Sequence, residues 1–150
     1  MNLLLWAVPI IILFCIAAYF DVKKHTIPNA IPALIFIIGI LAIALSAWGN
    51  YQAYPSLFHR IIGFLIPFIT TVYVKYKRNN IKLDYLKLMT STGFFFGIFG
   101  LIYFGAVCTV VYAIYHVVTK KKTLPFATIL APAVFSFYVI LFFLIFVIPY

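Results

Sequence analysis

Between Asp84 and Val118 the chain reads DYLKLMTSTGFFFGIFGLIYFGAVCTVVYAIYHVV, 35 residues whose two charges, Asp84 and Lys87, both stand at the start. An α-helix rises about 1.5 Å per residue, so about 20 apolar residues cross a hydrocarbon core of roughly 30 Å. A run of 35 is too long for one crossing and slightly short for two ordinary ones. The flanking charge settles the count. Lys75, Lys77, Arg78 and Lys82 precede the run, and Lys120, Lys121 and Lys122 follow it. Basic clusters between apolar segments collect on the cytoplasmic side, so the chain must leave that side and return to it. The run is therefore expected to be a hairpin of two helices, bent near Gly93, Gly97 and Gly100. Its first arm, from Asp84 to about Gly97, is short.

Four further apolar segments flank this hairpin: Leu3 to Phe20, Ala30 to Trp48, Leu57 to Val74 and Ala127 to Pro149. Pro28 stands where a helix start tolerates it, and prolines 9, 32, 67 and 132 fall within or near spans, which a membrane bundle accepts better than a soluble helix does. Lys23 and Lys24 follow the first span and join the cytoplasmic set; Arg60 is the one basic residue on the outer side. The expected fold is all-α, a polytopic membrane bundle of six transmembrane helices with a short fourth and both termini outside. It forms one membrane-embedded domain over residues 1–150.

Composition supports the same class. The chain is 67% hydrophobic and 9% charged, which leaves too little polar surface for a soluble domain of 150 residues. A net charge of +9 could point to nucleic acid. The basic residues instead fall in short clusters between apolar runs, as orientation signals do, so no nucleic-acid partner is expected. Cys15 and Cys108 lie inside apolar runs and read as small hydrophobes. The first segment lacks a basic leader and a small-residue cleavage site, so it reads as a retained span.

Asp21 and Asp84 are the only acidic side chains in the chain. Asp21 ends the first span and Asp84 begins the fourth, both at the cytoplasmic face. Carboxylates at membrane depth are costly and mark function by default. Asp84, at a helix start, is equally well explained as a capping residue. Asp21 closes a helix, where the dipole opposes a negative charge, so capping does not account for it; exposed pairs with Lys23 or Lys24 would contribute little. If the two helix ends meet, two carboxyl groups in contact do not both ionise cheaply, so one keeps a proton while the other stays charged. Such a dyad can activate water and polarise a carbonyl without a metal or covalent intermediate. The same geometry would serve a proton relay.

The segment Asp21-Val22-Lys23-Lys24-His25-Thr26-Ile27-Pro28-Asn29 resembles the first conserved block of the type IV prepilin peptidases, in which an aspartate ends the first span and I-P-N opens the second. The length is similar to that of small members lacking a methyltransferase region. The family's second block, GxGDxK, falls where this chain has Ile81-Lys82-Leu83-Asp84-Tyr85-Leu86-Lys87, and Lys122-Thr123-Leu124-Pro125-Phe126-Ala127 is similar to its basic entry into the last span. Both glycines of the second block are replaced, by Ile81 and Leu83, and Lys87 stands three residues after Asp84, on the same helix face. The resemblance implies a cell-membrane aspartyl endopeptidase, a hydrolase that removes the basic leader of a prepilin-like protein at the cytoplasmic face. Asp21 and Asp84 would be catalytic and Asn29 and Lys87 accessory polar groups. Turn and snorkelling roles are the simpler readings of Asn29 and Lys87.

No cofactor is expected, and His25, His59 and His116 are too scattered for a metal site. Ser91 lacks a nucleophile-elbow setting, Phe94 to Phe96 read as lipid-facing and packing surface, and Lys120 to Lys122 could also touch anionic headgroups. Two other functions stay open. One is a catalytically impaired relative that binds prepilin-like leaders, favoured by the altered second block. The other is a small proton-coupled transporter subunit, disfavoured because both carboxylates lie at one face.

Overall fold

The computed structural model describes residues 5–48, 56–77, 83–119 and 126–146. The expected contributions of Leu3, Arg78, Ile81, Lys82, Lys120 to Lys122, Pro125 and Pro149 lie outside them. Every element among the described residues is helical: α1 (Ala7–Lys24), α2 (Ala30–Trp48), α3 (Leu57–Lys77), α4 (Leu83–Thr119) and α5 (Phe126–Phe146). Among the described residues, three helical stretches are long and apolar enough to cross a membrane, Ala30–Trp48, Asp84–Tyr115 and Phe126–Phe146, with a shorter apolar stretch at Leu57–Tyr73. The expected six spans thus become five helices among the described residues. α1 carries Asp21, Lys23 and Lys24 within its 18 residues, which shortens its uncharged run. The expected hairpin falls within one element, α4, whose helix is broken at Gly97.

That break is sharp. Gly97 has φ 71° and ψ −173°, a region open in practice only to glycine. A Cβ built on Gly93 would lie 3.5 Å from Leu101 Cδ1. Eight residues of straight helix would separate the two backbones by about 12 Å, so the chain folds back on itself here. Gly93 also meets Gly63 of α3 so closely that a Cβ on either would overlap the other's backbone, the close approach that small residues permit between membrane helices.

The chain divides into two compact units. In the first, formed by the described residues up to His25 and from Tyr103 onward, α1 packs against α5. α1 buries Ile10, Phe14, Ala17 and Asp21, one stripe at helical spacing, while Val8, Ile12, Ile16 and Tyr19 are exposed on another face. α5 buries Ala127, Leu130, Ala133, Val134 and Tyr138 and exposes Phe142, Phe143 and Phe146. Tyr103 Oη and Ser136 Oγ share a hydrogen bond of 2.8 Å beside an aromatic cluster of Tyr103, Phe104 and Phe137.

The second unit, Thr26–Ile102, holds α2, α3 and the N-terminal arm of α4. α2 buries Ile31, Ile35, Gly39, Ala42 and Ser46 and exposes Leu34, Ile37, Leu41 and Leu45. Phe36, Phe64 and Phe94 form its aromatic centre, with ring centroids 4.4 Å apart for Phe36 and Phe94 and 5.9 Å for Phe36 and Phe64. Phe95 and Phe96 are buried, so the Phe94–Phe96 run serves packing. In both units many further Leu, Ile and Phe side chains face outward, a distribution suited to a hydrocarbon solvent. Hydroxyls follow the same logic. Ser46, Thr70, Thr90, Thr92 and Thr109 each donate to the carbonyl four residues earlier, which satisfies a polar group without water.

Candidate functional site

α1 ends where Asp21, Lys23 and Lys24 follow the apolar run, and His25 closes it in the left-handed conformation at φ 51°, its N–H donating to the Asp21 carbonyl at 3.0 Å. This cap sets the last turn of α1, so the Asp21 side chain continues the Ile10-Phe14-Ala17 stripe into the contact with α5. The carboxylate is fully buried, and the backbone N–H of Ala127 donates to Oδ2 at 2.8 Å. Ala127 is the second residue of α5, so its N–H is one of the four that no helical carbonyl can take. Pro125, which precedes the helix in sequence, has no side-chain acceptor to offer. Asp21 supplies one from another helix, and its negative charge faces the positive end of the α5 dipole.

Capping, excluded for Asp21 on the grounds of its own helix dipole, is therefore what this carboxylate does for a helix 106 positions away in sequence. That correction gives Asp21 a structural duty, whatever else it does.

Asp84 is the second residue of α4 and half-buried. It belongs to the second unit, whereas Asp21 belongs to the first. The expected accessory pair, however, is assembled within the second unit. Lys87 Nζ donates to Asn29 Oδ1 at 2.8 Å across 58 positions of sequence. Asn29 immediately precedes α2, and its backbone carbonyl accepts from Ala33 N–H at 3.3 Å. An asparagine in this place commonly caps its own helix; here the side chain reaches α4 instead. The shared helix face expected for Asp84 and Lys87 carries no ion pair among the described residues, and the ammonium points to the amide. Asn29 and Lys87 thus tether the start of α2 to the start of α4.

Arg60, expected on the outer side near a membrane end, is buried, with its guanidinium 5.8 Å from the ring centroid of Phe95. Nothing in the spacing of the sequence distinguishes it from an anchoring residue. His59 shares a 2.6 Å hydrogen bond with Ser56 and lies against Phe99. Among the described residues no three His, Cys, Asp or Glu side chains group closely enough to hold a metal ion, and Cys15 and Cys108 are both free thiols.

The acid chemistry available rests on two carboxylates, one in each unit. Asp21 offers a buried carboxylate held in place by a backbone donor. Asp84 offers a second, more accessible one at a helix start, where the dipole favours its charge. No protein-family profile, characterised protein or solved structure matches the chain.

Proposed function

We propose that this chain is a membrane aspartyl endopeptidase that removes the basic leader of type IV prepilin-like proteins at the cytoplasmic face of the cell membrane. Asp21 and Asp84 act as the catalytic pair, one activating water and the other polarising the scissile carbonyl. The observation that carries this reading is the placement of Asp21. One of the two acids in the chain is fully buried at the end of an apolar helix, fixed by Ala127 N–H. A buried carboxylate is costly to keep, and a fixed one is preorganised for chemistry. The Asn29–Lys87 contact adds support, because it joins the two segments that carry the resemblance. Asn29 and Lys87 act as positioning residues.

The topology proposed with this function is six spans with both termini outside and a short fourth span from Asp84 to about Gly97. The break at Gly97 and the approach of Gly93 to Leu101 support it, as do the basic clusters between apolar segments.

One observation favours a second reading. The Asp21–Ala127 hydrogen bond is a sufficient reason for Asp21 in a protein that cleaves nothing, which fits a non-catalytic relative that binds such leaders. The test is leader removal from co-expressed prepilin-like substrates, comparing wild type with Asp21→Asn and Asp84→Asn at matched membrane levels. The protease reading expects cleavage by wild type and a loss of about a hundredfold or more in each variant. Cleavage that survives Asp84→Asn removes Asp84 from the pair; no cleavage by wild type across several substrates supports the non-catalytic relative.

A further inference from the structure

The second unit contains a groove of about 520 Å³, open along one side, between α2, α3 and α4. Its walls are Pro32, Ala33 and Phe36 on one flank and Phe64 and Phe68 on the other. Three hydroxyls also line it, but none is offered to the space. Thr71 donates to the Pro67 carbonyl, Thr90 to that of Leu86 and Ser91 to that of Lys87. The charged side chain that lines it is Lys87, whose described partner is the neutral amide oxygen of Asn29 at 2.8 Å. An ammonium has three donors, and no carboxylate neutralises this one among the described residues.

We propose that this groove binds one acyl chain of an anionic phospholipid, with the headgroup phosphate at Lys87. The chemistry selects that occupant. The apolar walls, whose hydroxyls are already committed to backbone carbonyls, accept a hydrocarbon chain. Lys87, the cation that lines the groove, complements a phosphate. Asn29 keeps the ammonium there, because its amide oxygen fixes the lysine while leaving its charge unneutralised. This proposal does not depend on proteolysis.

The experiment reconstitutes the full-length protein in phosphatidylcholine vesicles doped with a diazirine-tailed lipid, either phosphatidylglycerol or phosphatidylcholine. Cross-linked residues are then located by mass spectrometry. The expected result is labelling at Phe64 and Phe68 that favours phosphatidylglycerol by roughly fivefold, the preference one lysine gives an anionic headgroup. Leu45, exposed on α2, should show no preference between the two lipids. Lys87→Gln should bring the ratio at Phe68 to about one. Ala33→Trp, which fills the groove, should lower labelling at Phe64 and Phe68 and leave Leu45 unchanged. A ratio of about one in the wild type overturns the proposal, as does a preference that persists in Lys87→Gln. Labelling of these phenylalanines by a photoreactive transmembrane peptide at the expense of lipid also overturns it and assigns the groove to a protein segment.

Discussion

Replacing Asp21 by alanine and by asparagine separates what the carboxylate does by accepting a hydrogen bond from what it does by being charged. In the alanine variant Ala127 N–H loses an acceptor, and Ala127 itself is fully buried. Losing a helix cap costs about 0.5–2 kcal/mol, and a buried donor left without its partner costs about 1–3 kcal/mol. These overlap, because both describe the same N–H, so Asp21→Ala should destabilise by about 1–3 kcal/mol. Asparagine keeps an amide oxygen at the position of Oδ2. It gives up the charge–dipole attraction, about 0.3–1 kcal/mol and up to about 2 when partly buried. It also removes the cost of desolvating a carboxylate. Those changes oppose one another, so Asp21→Asn should lie within about 1 kcal/mol of wild type. Reversible unfolding in mixed micelles, followed by far-ultraviolet circular dichroism, measures both. An alanine variant within about 0.5 kcal/mol of wild type would refute the idea that this hydrogen bond holds α1 to α5. Equal losses in both variants would show that charge, and not the acceptor, is what matters.

Gly63→Ala and Gly93→Ala each place a Cβ into the facing backbone, so each should cost about 1–3 kcal/mol by overpacking, read from the same unfolding transition. Gly97→Ala forces a side chain onto φ 71° and should cost about 1–3 kcal/mol, whereas Gly105→Ala, with open space around it, should be neutral or slightly stabilising. A double-mutant cycle on Asn29→Ala and Lys87→Ala should return a coupling of about 0.2–1 kcal/mol, since both side chains are exposed; zero coupling would mean that the contact does not tether α2 to α4.

Helical class and membrane character were legible because both follow from composition and run length. Ala30–Trp48 was read with its observed bounds, and the glycines of the 84–118 run located the break that the backbone makes at Gly97. The number of separate helices was less legible. A glycine kink and a full loop leave the same trace in sequence, apolar residues on both sides of a glycine. The meeting of Asn29 and Lys87 was foreshadowed only by their shared place in the resemblance. The role of Asp21 was missed for a definable reason. A helix N-terminus advertises its need through the residues just before it, and here that residue is Pro125. A proline with no acceptor ahead of a buried N–H was the available signal, and it points to an acceptor elsewhere in the chain. With two carboxylates in the whole sequence, the candidates were few.

The same scarcity bears on function. A cap needs an acceptor, and asparagine, serine or threonine would meet that need at position 21 without the cost of burying an ionisable group. Aspartate adds only charge and the capacity to exchange a proton. The charge is rewarded in part by the α5 dipole, so the cap lowers the cost of keeping a buried carboxylate. Capping and catalysis are therefore not competing accounts of Asp21. The Ala127 N–H holds one oxygen of the carboxylate in a fixed direction, which is what a catalytic acid requires of its surroundings. Asp21→Asn is the variant in which the two duties come apart, because it retains the acceptor and loses the titratable group. A folded Asp21→Asn protein that no longer removes leaders would assign the charge to chemistry. A folded one indistinguishable from a wild type that itself cleaves nothing would leave the cap as the whole reason for the residue.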